Sequence, residues 1–127
     1  MVAALEDTRE QNHTEAPWIR IDPERDRVRV RCGGVLDGVA AAQLRQDCAG
    51  LMDRGFDRVI LDLSEAAELG PALISAIAAV NRRARARGCR LSIVPGRGAV
   101  AATLRRAGLL EQLQLEGTSE TFLDWSR

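Results

Sequence analysis

The side chains that could do chemistry in this sequence are few and scattered. Three acids, Asp62, Glu65 and Glu68, follow an apolar run, and Ser64 and Ser75 place hydroxyl groups nearby. In an α/β sheet, sites tend to lie beyond the carboxyl ends of the strands, where these acids would fall. No histidine or lysine stands near them to complete an acid–base pair. We therefore expect this segment to be a solvated loop and not a catalytic centre.

The sequence also gives no clear signal for a metal site or a phosphate-binding loop. The cysteines, Cys32, Cys48 and Cys89, form no CxxC pair, and the single histidine, His13, lies in a polar stretch. A structural zinc site needs about four such ligands, so we expect buried free thiols and no metal. The glycine pair in 96–98 is too short a signal for a phosphate loop, and no HExxH or GxSxG motif occurs. The sequence thus predicts a protein without cofactor or enzymatic activity.

The amino-acid composition excludes further classes of protein. The 127 residues suit one domain, and a 46% hydrophobic content is enough for a core. The 18 basic and 18 acidic residues cancel, which argues against a nucleic-acid binder. No apolar run approaches the roughly 18–20 residues that span a bilayer, so we expect no direct membrane insertion. The amino terminus turns acidic after five residues, unlike a signal peptide, which favours a cytoplasmic location.

Hydrophobic periodicity predicts the opening of the fold. Residues 1–16 are polar without a period and are expected to be a flexible tail. From Trp18, apolar and polar residues alternate on both sides of a turn at 23–25, which predicts an antiparallel hairpin. The pair Gly33-Gly34 is expected to end the second strand. The arginines that alternate along this strand are interpreted as a solvated face, since the net charge is zero.

Strands and helices then alternate. A helix is predicted from about Gly38 to Arg54, with Asp37 as its N-cap, and Pro71 opens a second helix that Gly88 ends. Further strands are predicted at 59–63, 89–94 and 113–115, and further helices at 99–107 and 118–125. This order predicts one α/β domain over 17–127, with a mixed sheet that begins as an antiparallel hairpin and continues as βαβ units, and about four helices.

Two segments together resemble a known family. Gly34-Val35-Leu36-Asp37 resembles the G-x-L-D signature of STAS domains, which are named for sulfate transporters and anti-sigma factor antagonists. The run from Val59 to Ser64 resembles the central strand of that family. The resemblance covers about Trp18 to Trp125, most of the chain. It implies a STAS fold and a bacterial regulatory module similar to an anti-sigma factor antagonist, which takes part in partner switching.

The sequence departs from the family at the position that carries the switch. The family's Asp-Ser-Ser-Gly motif falls on Gly70-Pro71-Ala72-Leu73, and none of the four residues matches. In antagonists the second serine of this motif is phosphorylated by a kinase that is also the anti-sigma factor. The resemblance therefore implies that Ala72, which has no hydroxyl, cannot be phosphorylated. Ser64 and Ser75 are the alternative acceptors nearby.

We hypothesise that the start of the second helix still forms a docking face. Its expected members are Asp37, Glu68, Leu69, Gly70, Pro71, Ala72, Leu73 and Ala76. Leu69, Ala72, Leu73 and Ala76 would be the apolar part, with Glu68 at the rim. The alternative for Leu73 and Ala76 is that they belong to the core, since helix faces usually serve packing.

The resemblance implies a protein partner, an anti-sigma factor or a similar serine kinase-like regulator with an ATPase fold. A second interpretation is a scaffold or accessory subunit, either of a stress-sensing assembly or of a lipid ABC transporter. A third is the sensing of a nucleotide or another small ligand. A homodimer is compatible with all three.

Overall fold

The described part of the chain, residues 16–115 of a computed structural model, opens with two antiparallel strands and continues with alternating helices and strands. The elements are β1 (Trp18–Pro23), β2 (Val28–Leu36), α1 (Gly38–Asp53), β3 (Arg58–Leu69), α2 (Pro71–Arg87), β4 (Arg90–Val94), α3 (Gly98–Arg106), α4 (Leu109–Gln112) and β5 (Gln114–Leu115). The tail predicted for 1–16 and the helix predicted for 118–125 lie outside these residues, except for Ala16.

The strands form one sheet in the order β1-β2-β3-β4-β5. β1 pairs with β2 antiparallel, and the remaining neighbours are parallel. This confirms the predicted α/β class, with a mixed sheet that begins as a hairpin. The helix α4 was not predicted, because four residues are too short to show a helical period.

The second strand is longer than predicted. Gly33-Gly34 does not end it, since β2 runs on to Leu36 with register shifts around these glycines. Gly33 lies opposite Trp18 of β1, and a β-carbon at Gly33 would overlap the indole ring. Gly33 therefore makes room for the indole ring of Trp18 on β2. From the sequence alone, this glycine is interpreted as the end of the strand.

The third strand is also longer than predicted. It was expected to end at Leu63, but β3 continues to Leu69 and stays paired with β2. The acids at 62–68, predicted to be a solvated loop, are therefore part of a strand. β4 ends opposite Asp62, so beyond that point β2 is the only strand paired with β3 in the described residues. This extension has three polar residues, Ser64, Glu65 and Glu68, and two alanines, so the hydrophobic pattern that marks a strand is weak there.

The core lies between one face of the sheet and the helices. Val59, Leu61 and Leu63 of β3 are buried together with a stripe of apolar residues on α1. That stripe is Ala40, Leu44, Cys48 and Leu51. Cys32, Cys48 and Cys89 are free and buried, as predicted, and burial raises the pKa of Cys32 and of Cys48 to about 12. These thiols are packing groups and are held in the neutral form.

None of the helices between residues 16 and 115 combines the length and the apolar character that crossing a bilayer requires.

A candidate docking surface at two helix starts

Two helices begin side by side where β2 and β3 end. The last residues of these strands, Leu36 and Leu69, are partners in the parallel register. The backbone N–H of Gly70 donates a hydrogen bond to the carbonyl of Leu36 at 2.9 Å. A β-carbon at Gly70 would lie 3.8 Å from the Cα of Asp37. The residue before α1 and the residue before α2 are therefore neighbours on one edge of the sheet.

The start of α1 is capped as the sequence predicts. A side-chain oxygen of Asp37, Oδ1, accepts hydrogen bonds from the backbone N–H of Val39 at 3.1 Å and of Ala40 at 3.3 Å. Asp37 is exposed, so its carboxylate faces solvent while it satisfies helix donors. Its role as N-cap is confirmed.

Val39 is a member of this surface that sequence reasoning missed. Its side chain is 76% exposed, an unusual state for a valine, while its neighbour Ala40 is buried. The available signal was its position: it directly follows the cap region but falls outside the buried stripe of α1. Val39 therefore joins Pro71 and Ala72 as an exposed apolar side chain at the two helix starts.

The start of α2 has no side-chain cap. Gly70 occupies the N-cap position with an extended backbone and no side-chain hydrogen bond to the helix, and Pro71 follows at the first helical position. Pro71 and Ala72 are exposed. Ala72, the position that the sequence predicts to correspond to the family's phosphoacceptor, is therefore at the surface, and its side chain is only a methyl group.

Three of the residues expected in the docking face are core residues. Leu69 is 7% exposed, Leu73 is 1% exposed and Ala76 is fully buried. They line the inner side of the strand end and of α2, where they pack into the hydrophobic core. The expectation that they form the apolar part of the surface is corrected accordingly. The exposed residues at the two helix starts are Asp37, Gly38, Val39, Pro71 and Ala72, with the half-buried Gly70 between them and the exposed Glu68 just before them.

The two alternative phosphoacceptors are both exposed but differ in environment. Ser64 Oγ donates a hydrogen bond to Asp62 Oδ1 at 2.6 Å, and the Ser64 N–H donates to the same oxygen at 2.9 Å. A phosphate on Ser64 would meet the carboxylate of Asp62. Ser75 lies within α2, about one turn after Ala72.

The arginine row of β2 and the acids of β3 neutralise each other. Arg29 pairs with Asp62 at 3.2 Å and with Glu24 at 2.9 Å, and Arg31 pairs with Glu65 at 2.7 Å. Burial alone would raise the pKa of Asp62, but its hydrogen bonds from Ser64 and the nearby Arg29 guanidinium outweigh burial and hold that pKa below its usual value. These charges stabilise the hairpin against β3 and are already satisfied, which leaves the helix starts as the candidate site.

The fold is a small α/β domain with a mixed five-stranded sheet. The sequence matches the family model described as "Mlab, STAS domain" over residues 19–116. The chain therefore belongs to the STAS domain family. A search of curated protein sequences gave no match.

Solved structures agree on the fold. The anti-sigma factor antagonist SpoIIAA in its unphosphorylated form matches with a TM-score of 0.70 and 16% identity, over 83% of this chain and 93% of SpoIIAA. An anti-sigma factor antagonist from Mycobacterium paratuberculosis matches with a TM-score of 0.72 and 21% identity, over 87% of this chain and 93% of that protein.

The same fold also occurs within a larger protein. The murine anion transporter Solute Carrier 26 family member A9, in its inward-facing state, matches with a TM-score of 0.62 and 15% identity. The match covers 88% of this chain but 22% of the transporter chain. At these identities the three likenesses establish the fold, and function has to be argued from the site.

Proposed function

We propose that this protein is a regulatory binding module of the anti-sigma factor antagonist type. Its partner would be an anti-sigma factor or a related serine kinase-like regulator with an ATPase fold. The docking surface would be the exposed residues at the two helix starts, centred on Ala72 and including Asp37 and Val39. The observation that carries the proposal is the exposure of Ala72 at the start of α2, beside the capped start of α1.

The alanine at position 72 also favours a surface that can bind its partner at all times. A phosphate adds about −1.5 to −2 charge, which repels a partner surface that has to be desolvated. Ala72 offers no oxygen for this modification, and Pro71 offers no backbone N–H to coordinate a phosphate. The module would bind its partner without the switch that turns related antagonists off. Control would then lie in the amount of protein or in the partner.

The test compares two matched variants in a pull-down from the native host, read by quantitative mass spectrometry. Ala72→Asp places a carboxylate at the second position of α2. Ala99→Asp places one at the second position of α3, where the alanine is also exposed. Both charges lie in a first helical turn, where the helix dipole favours them, so neither should unfold the protein.

We expect an ATPase-fold regulator with the wild-type protein and with Ala99→Asp, and at least a tenfold lower recovery with Ala72→Asp. Recovery of no such regulator with the wild-type protein would refute the proposal, as would equal recovery with all three proteins.

A second candidate is an accessory subunit of a transporter. It is favoured by the occurrence of this fold within an anion transporter chain and by the missing hydroxyl at Ala72, since a permanent subunit needs no phosphorylation switch. Co-purification of a transport ATPase in the same pull-down would select this candidate. The Ala72→Asp variant then reports whether the same surface holds the subunit.

A further inference from the structure

The strand β1 is an unpaired edge of the sheet within residues 16–115. It pairs with β2 on one side, and the described residues offer no strand on the other side. Ile21, in the middle of β1, is 38% exposed and is one of two large hydrophobic residues that stand out as exposed, with Val39. An exposed edge strand with an apolar centre is a template for pairing with another strand.

The charges on β1 favour a second copy of this same strand as the occupant. A two-fold axis perpendicular to the sheet keeps each face on its own side, so the paired residue numbers must sum to an even number. Opposing Arg20 with itself, or Asp22 with itself, puts like charges in direct contact, which is destabilising. With Ile21 on the axis, Arg20 of each copy instead lies opposite Asp22 of the other.

This register is consistent with the remaining side chains of β1. Ile19 would lie opposite Pro23, both on the same face as Ile21. Pro23 is the last residue of β1, so its missing N–H removes at most one donor at each end of the symmetric pairing and none at the centre. Within one copy, Arg20 lies 5.5 Å from the centroid of the Trp18 ring and Asp22 lies 3.7 Å from Arg31, so the ion pairs across the dimer would add to these contacts or replace them.

We propose that two copies of this chain associate through β1, antiparallel, with Ile21 on the two-fold axis and reciprocal Arg20–Asp22 ion pairs. The two sheets then join into one continuous sheet, with the helices of both copies on corresponding faces. A strand-to-strand contact of six residues is small, so the dimer is a weak and reversible one. The proposal does not depend on the helix-start surface.

The test uses two charge variants and their mixture, with mass measured by sedimentation velocity over a wide range of protein concentration. Arg20→Asp opposes two aspartates twice in the dimer, and Asp22→Arg opposes two arginines twice. We expect each variant alone to dimerise at least tenfold more weakly than the wild type. An equimolar mixture should form a heterodimer, because every Arg then meets an Asp.

Several results would overturn the proposal: a wild-type protein that is monomeric at every concentration, variants that dimerise as well as the wild type, or a mixture that stays monomeric. Circular dichroism checks that each variant is folded. Ile21→Lys gives an independent reading, since it places two ammonium groups together at the axis without touching either ion pair. It should also weaken the dimer, and an unchanged dimer would contradict the central position of Ile21.

Discussion

The hydrogen bond from the N–H of Gly70 to the carbonyl of Leu36, at 2.9 Å, joins the starts of two helices. It continues the β2–β3 pairing by one residue beyond the last paired positions. It holds Gly70, the N-cap position of α2, next to Leu36, which precedes the Asp37 cap of α1. The two helix starts therefore lie on one edge of the sheet. A partner that docks on this edge would meet a surface that is already organised, so this chain would lose little conformational entropy on binding.

The cap of α1 can be separated from its charge. Asp37→Ala removes the acceptor for two backbone N–H groups and should lower the free energy of unfolding by about 1 kcal/mol. Asp37→Asn keeps the acceptor oxygen and should stay close to the wild type. Urea denaturation of the three proteins measures this. Equal stability of Asp37→Ala and the wild type would contradict the capping role.

The boundary between core and surface in α2 lies between adjacent residues. Leu73→Ala removes a buried side chain and should cost about 2–5 kcal/mol in unfolding free energy. Ala72→Ser changes an exposed position and should stay within about 0.5 kcal/mol of the wild type. Thermal and urea denaturation provide both values. A mild effect of Leu73→Ala would mean that this side chain is not core.

The contact of Trp18 with Gly33 predicts intolerance of any β-carbon there. Gly33→Ala should destabilise the protein by about 1–3 kcal/mol, because the new methyl group displaces the indole ring or the strand. Trp18→Leu combined with Gly33→Ala should recover part of this loss, since a smaller side chain leaves room. Denaturation of the single and double variants forms a cycle, and strictly additive effects would argue against the contact.

The ion pair between Asp62 and Arg29 predicts that the free energy of unfolding depends on pH. The pKa of Asp62 is lowered in the folded protein, below the usual 3.8, so its contribution is fully present above 3.8 and is lost as the pH falls through the folded value. Asp62→Asn lacks this contribution. The unfolding free energy of the wild type should therefore exceed that of Asp62→Asn at pH 7, and the difference should shrink towards pH 2. A difference that is constant with pH would contradict the shift.

Periodicity and capping residues predicted most of the helices and the sheet class, and the points of failure have physical reasons. Asp37, Pro71 and Gly88 mark helix ends through local backbone requirements, so the sequence alone reveals them. The last residues of β2 and β3 could not be predicted from the sequence. Gly33 accommodates an aromatic ring from another strand, and the acids of β3 pair with distant arginines. Both depend on contacts between residues far apart in sequence.

The sequence predicts a docking surface at the start of α2, and the structure changes which residues are exposed to form it. The start of α2 could be found by aligning the central strand with the family pattern, and Ala72 is exposed there. Which neighbours face outward depends on how α2 rotates onto the sheet. That packing buries Leu73 and Ala76, whereas the position of α1 leaves Val39 exposed.

The most direct measurement is the affinity of the recovered ATPase-fold regulator for three purified proteins, determined by isothermal titration calorimetry. We expect Ala72→Asp to weaken binding at least tenfold, which corresponds to about 1.4 kcal/mol. Ala99→Asp, which carries the same charge at the equivalent position of α3, should bind like the wild type. If Ala72→Asp and Ala99→Asp bind with the same affinity as the wild type, the helix-start surface is not the docking site.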